Sequence, residues 1–142
     1  MDILLVEPPQ GCLKGFPADR GYHVGLTSLA AYLNKHGIET AVITGDLLID
    51  DQSSNNLITA FIPIWFRYDV KEVAARQSRY AASLDDDSLF VWKKFKEIVR
   101  ETKPLMIGIS YLTPMKYSVE KIASLAKEVN KDIKVVVGAY HP

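Results

Sequence analysis

The hydrophobic pattern of this chain alternates between two periods. Short apolar runs at Ile3–Val6, Thr40–Thr44, Leu105–Ser110 and Lys134–Val137 are separated by stretches in which apolar residues return every three or four positions. Runs of that length, bounded by Pro, Gly and polar residues, predict strands buried on both faces, as in parallel sheets. Between the first two runs, Leu26, Leu29, Ala30 and Leu33 fall at i, i+3, i+4 and i+7 and predict a helix from about Val24 to His36. Gly37 stands where a left-handed C-cap belongs, and Lys35 and His36 suit the negative end of the helix dipole. After the third run, Thr113 reads as an N-cap and Pro114 as the first helical residue. The helix they open is amphipathic to Asn130, with Ile122, Leu125, Ala126 and Val129 inward. Strand, helix and strand with short joins make a βαβ unit, so parallel strands and right-handed crossovers are expected.

The segment from Gly45 to Lys103 breaks this rhythm. It is too long for a plain connection and predicts structure of its own. Ile58–Tyr68 is apolar and aromatic, interrupted by Pro63, and Asp69 is placed to cap a helix reaching about Ser83. Asp85-Asp86-Asp87-Ser88 then sets negative charge at the start of another helix, which runs to about Glu101 with Leu89, Trp92, Phe95 and Val99 along one side. The acidic triplet reads as helix capping, since nothing nearby completes a metal-ligand set. Trp65, Phe66 and Tyr68 read as packing for the inserted helices, with shielding of a ligand or docking on another domain as the functional alternative.

Composition removes several classes. The 17 basic and 17 acidic residues cancel, which leaves no electrostatic argument for nucleic acid or an anionic membrane. No run is long enough to span a bilayer, and the first apolar run is too short for a signal-peptide core. The single cysteine, Cys12, can neither close an internal disulfide nor hold zinc or an iron–sulfur cluster alone. The expectation is one cytoplasmic domain over residues 1–142, with an insertion at about 46–103. Candidate chemistry lies where the strands end, because ligands in open α/β sheets sit beyond the carboxyl ends of the strands. Ser110 is the polar lip of the third run, and Gly11, Gly15 and Gly21 follow the first, where glycines allow close backbone approach or simply make turns.

The element order is that of a three-layer, flavodoxin-like (Rossmann-like) α/β fold. The parallel sheet has the order 2-1-3-4, stops before a fifth strand and carries a helical insertion after strand 2. Such a sheet is too widely shared to name a function. Its residues are more specific. Leu4-Leu-Val-Glu-Pro-Pro9, the helix closing at Gly37, Lys103-Pro104 leading into Gly108-Ile-Ser110, and Val137-Gly-Ala-Tyr-His-Pro142 together resemble the N-terminal cobalamin-binding domain of radical-SAM enzymes. In the wider cobalamin-binding fold the marks are DxHxxG after the first strand, SxL after the third and GG after the fourth. Ser110-Tyr111-Leu112 matches SxL, and Gly138-Ala139 nearly matches GG. The resemblance implies that Ser110 and the small residues line a channel for the nucleotide tail of cobalamin. A buried polar tail needs a hydroxyl partner and no bulky side chain in its way. Pro9, Gly11, Tyr22, His23, Gly25, Tyr111, Leu112 and Thr113 join the implied cofactor-binding set.

DxHxxG is absent. With Gly25 matched to its last glycine, Tyr22 takes the histidine position and Arg20 the aspartate position. The implied cofactor is cobalamin with its own base displaced and without the usual histidine ligand. Tyr22 or His23 would then face the cobalt, His23 being the candidate metal ligand. The competing reading of His23 is a helix-start histidine making ordinary hydrogen bonds. The CxxxCxxC triplet is also missing, so the resemblance makes this chain the N-terminal part of a longer radical-SAM protein. The [4Fe-4S] cluster, S-adenosylmethionine and a methyl transfer or rearrangement then belong to a barrel domain after Pro142. That domain and the corrinoid are the implied partners. The rival is a non-catalytic docking or structural module of the same ancestry that does not bind cobalamin. Glu7 and Ser110 stand where a phosphate receiver needs aspartates, and GxGxxG is absent, which excludes a dinucleotide site. With the fourth strand at the edge, Val135–Val137 invites another chain, so a homo-oligomer through that edge or through Phe61–Tyr68 is expected.

Overall fold

The computed structural model describes residues 1–9, 23–45, 78, 81–82, 84–112 and 115–138. Its elements are β1 (Ile3–Glu7), α1 (Val24–Lys35), β2 (Thr40–Thr44), α2 (Phe90–Thr102), β3 (Met106–Ser110), α3 (Lys116–Val129) and β4 (Lys134–Gly138). The strands form one sheet in the order β2-β1-β3-β4, with every neighbouring pair parallel. The expected flavodoxin-like α/β class and the 2-1-3-4 order both hold.

Strand alternation sorts the side chains into two faces, and parallel partners in register point the same way. Leu4, Val6, Ile43, Ile107 and Ile109 share one face and form a single core cluster with Val91, Trp92, Phe95 and Val99 of α2 and Val119, Ile122, Leu125 and Ala126 of α3. Full burial of side chains this size stabilises by about 1.5–3 kcal/mol each, so this layer dominates folding. The opposite face carries α1, which lies against β1 and β2, with Leu5 and Ala30 buried outside that cluster. Right-handed crossovers require this division. The chain steps one way across the sheet from β1 to β2 and the other way from β2 to β3 and β4.

Local chemistry sets the helix ends. α1 stops in a Schellman motif, with Gly37 at φ 81, Gly37 N–H donating to Asn34 O at 3.1 Å and Ile38 N–H to Leu33 O at 3.0 Å. α2 ends at Lys103, left-handed at φ 45, immediately before Pro104, which cannot continue a helix.

The regular part of α3 begins at Lys116, and the expected cap Thr113 and first helical residue Pro114 lie outside the described residues. Two expectations need correction. The acidic triplet precedes the first turn of α2, which holds no acid, and the cap residue is Leu89. Asp86 Oδ1 instead accepts from Ser88 N–H at 2.9 Å in a local turn, and Asp87 pairs with Lys121 of α3. Leu29 is 45% exposed although its spacing placed it inward, because α1 covers only two strands and buries a narrower stripe than the periodicity suggests.

The lower, N-terminal edge of the sheet is tied by side chains. Asn34 Nδ2 donates to Thr40 O at 2.8 Å and its Oδ1 accepts from Thr40 N–H at 2.9 Å, so one amide copies a strand partner at the start of β2. The Lys127 ammonium donates to Lys131 O at 2.9 Å and Ile133 O at 2.6 Å and closes the turn into β4. None of the described helices is long and apolar enough to cross a membrane.

Candidate functional site

All four strands point the same way, so their C-terminal residues share one edge. Glu7 pairs with Thr44, Val6 with Ile109, and Ser110 with Gly138. Thr44, Glu7, Ser110 and Gly138 therefore make one transverse row, and by alternation it lies on the α1 face of the sheet. The row below it, Val42, Leu5, Gly108 and Val136, is apolar or bare. This strand-end row, with three polar side chains above an apolar or bare one, is the candidate site.

Ser110 and Gly138 are direct neighbours, as the sequence reading required. The joint is closed by Tyr111 N–H donating to Gly138 O at 2.7 Å. Ser110 is only 7% exposed, whereas a methyl group added at Gly138 would meet nothing within 4 Å. A buried serine thus sits beside a strand end with open space over it. Tyr111 is half-buried and Leu112 exposed just beyond the lip.

The other end of the row is closed by a tight joint. Pro8 and Pro9 are fully buried after β1, and Gly45 follows β2 directly. A Cβ at Gly45 would lie 2.6 Å from Pro9 Cδ and 2.8 Å from Pro9 Cα. Only glycine admits that approach, so Pro9 acts here as a packing residue of the edge. Thr44 is buried beside it and Glu7 is half-buried. Sequence reasoning passed over Thr44 and treated Glu7 only as a mismatch to a receiver domain. The available signal was parity, because both occupy the last position of strands whose register puts them on the Ser110 side.

His23 has a defined role. Its Nδ1 accepts from Leu26 N–H at 3.2 Å and caps α1. In this geometry His23 caps the helix, the ordinary hydrogen-bonding role that competes with the ligand role. Gly25 belongs to the same cap, since a Cβ there would press on the His23 ring at 3.2 Å. No three His, Cys, Asp or Glu side chains group as metal ligands among the described residues. Gly11, Tyr22, Thr113 and Ala139 of the candidate set lie outside the described residues, as do Cys12, Arg20 and the aromatic segment Phe61–Tyr68.

Two carboxylates near the start of α2 are shifted. The hydrogen bond from Lys121, and then its charge, hold the Asp87 carboxyl below the usual range. Hydrogen bonds from Ser88 do the same for Asp86. Both groups are solvent-exposed, and their role is to tie turns and helices. No family model, curated protein or solved structure matches this chain.

Proposed function

We propose that this chain is a corrinoid-binding domain whose strand-end row receives the nucleotide tail of cobalamin, as in the N-terminal domains of cobalamin-dependent radical-SAM enzymes. The observation that carries the reading is the pairing of buried Ser110 with Gly138, beside open space and on one face of the sheet. The residues present fit such a tail. Ser110 would offer it a hydroxyl, and Gly138 would leave its path clear. Bound cobalamin would supply a cobalt centre for methyl transfer or rearrangement. The residues of this chain would bind and orient it and exclude water from its tail. With one cysteine, the chain cannot itself carry the triplet that holds a radical-SAM cluster. That cluster and S-adenosylmethionine fall to a separate barrel domain in this reading.

The test is titration with hydroxocobalamin followed by visible absorbance. Saturable binding is expected, with a dissociation constant below about 1 mM, or about −4 kcal/mol. Gly138→Leu should fill the open space and weaken binding at least about tenfold. Ser110→Ala should cost about fivefold, the worth of one ordinary hydrogen bond. No spectral change up to about 1 mM, or equal affinity of Gly138→Leu and wild type, overturns the proposal. That result would favour the rival, a non-catalytic docking or structural module.

A further inference from the structure

The outer edge of β4 carries a second, independent inference. Lys134 N–H donates to Leu105 O at 3.1 Å, and Gly138 O accepts from Tyr111 N–H. Backbone groups alternate in direction along a strand, so Lys134, Val136 and Gly138 bond inward to β3. Val135 and Val137 then direct their N–H and C=O groups away from the sheet. No other strand meets that side among the described residues. Val136 and Val137 are 49% and 40% exposed.

We infer that two copies of this chain join their β4 strands antiparallel about a two-fold axis at Val136, making one eight-stranded sheet. The register follows from the edge itself. Centring on Val136 sets Val135 opposite Val137 of the second copy, and these are the residues with outward groups on both strands. Each Val135–Val137 pair exchanges both of its hydrogen bonds. Val136 then meets its own copy in a non-hydrogen-bonded pair, where side chains come closest, and each covers the other's exposed surface. Lys134, the one charge in the strand, falls opposite Gly138 and not opposite a second Lys134. The chain has zero formal net charge, so no long-range repulsion opposes the approach. A five-residue edge covers less than the roughly 800 Å² per partner of a stable interface, so the dimer is weak and concentration-dependent.

Sedimentation equilibrium of the purified chain from about 10 μM to about 1 mM, the range of weak association, tests this. The average mass should rise from 15.9 kDa toward twice that value. Val136→Lys places like charges face to face on the axis, and Val137→Pro deletes an outward N–H without touching the ladder to β3. Each should weaken association at least about tenfold while far-UV circular dichroism of the monomer stays unchanged. If the proline variant misfolds, the lysine variant decides alone. In a Cys12→Ser background, Val136→Cys should cross-link to its copy on mild oxidation and Lys134→Cys should not, because only the axial pair brings the two sulfurs within disulfide reach. A monomer at every concentration, association that survives Val136→Lys, or faster cross-linking through Lys134→Cys overturns the proposal.

Discussion

Replacing Gly45 with alanine should be the most damaging single-methyl change at the strand ends. The new Cβ would stand 2.6 Å from Pro9 Cδ and 2.8 Å from Pro9 Cα, well inside ordinary contact between carbons. Both neighbours belong to a fully buried proline whose ring fixes its own backbone, so no flexible side-chain tip can swing away. Relief must come from separating the ends of β1 and β2. Overpacking of this kind costs about 1–3 kcal/mol. For a chain of this length that is a fall in melting temperature of about 4–12 °C. Two other glycines calibrate the result. Gly37→Ala has nothing to strike but must hold a left-handed backbone at φ 81, a cost of about 1 kcal/mol. Gly138→Ala faces open space and should stay within about 0.5 kcal/mol of wild type. Urea unfolding followed by far-UV circular dichroism would rank the three, with the slope of the transition checking that two-state behaviour survives. The order Gly45, Gly37, Gly138 is expected. A Gly45→Ala variant within about 0.5 kcal/mol of wild type would refute the tight joint between Gly45 and Pro9.

Further outcomes follow from other contacts. Asn34→Ala removes both hydrogen bonds that hold Thr40 and should cost about 1–2 kcal/mol, with faster amide exchange at Thr40. His23→Ala should cost about 1 kcal/mol by uncapping α1, yet leave the visible spectrum of any bound corrinoid unchanged; an altered spectrum would favour the ligand role. The Asp87 carboxyl is held below its ordinary value, chiefly by its hydrogen bond from Lys121. Its contribution is therefore complete above about pH 4 and is lost as pH falls further through the lowered value. Lys121→Met should remove that contribution at neutral pH, leave stability below the acid window little changed, and so flatten the profile between them. Trp92 is fully buried in the core, and among the described residues its indole N–H has no acceptor. Trp92→Ala should cost about 3–5 kcal/mol. Trp92→Phe should cost less than half as much, because it also removes an unpaired polar group; equal losses in calorimetry would contradict this.

The strand positions, the order of the sheet, the left-handed Gly37 and the inward side of α2 and α3 were all legible in one dimension. Each depends on residues close along the chain: apolar runs, helical spacing, and the φ range that glycine tolerates. Thr40–Thr44 and Lys134–Gly138 could be placed for that reason, as could the juxtaposition of Ser110 with Gly138 once parallel order was assumed. What stayed hidden required partners far apart in sequence. Asp87 looked like a cap until Lys121, on another helix, gave it a neighbour. Leu29 looked inward until α1 proved to cover only two strands. Gly45 stood only as the start of the long connection, because its need for a bare Cα comes from Pro9, just past the end of the adjacent strand. Glu7 and Thr44 joined Ser110 in one row only when the register fixed which face each strand end presents. Period and turn chemistry are local properties of a chain, whereas burial, register and steric exclusion exist only between segments that folding has brought together.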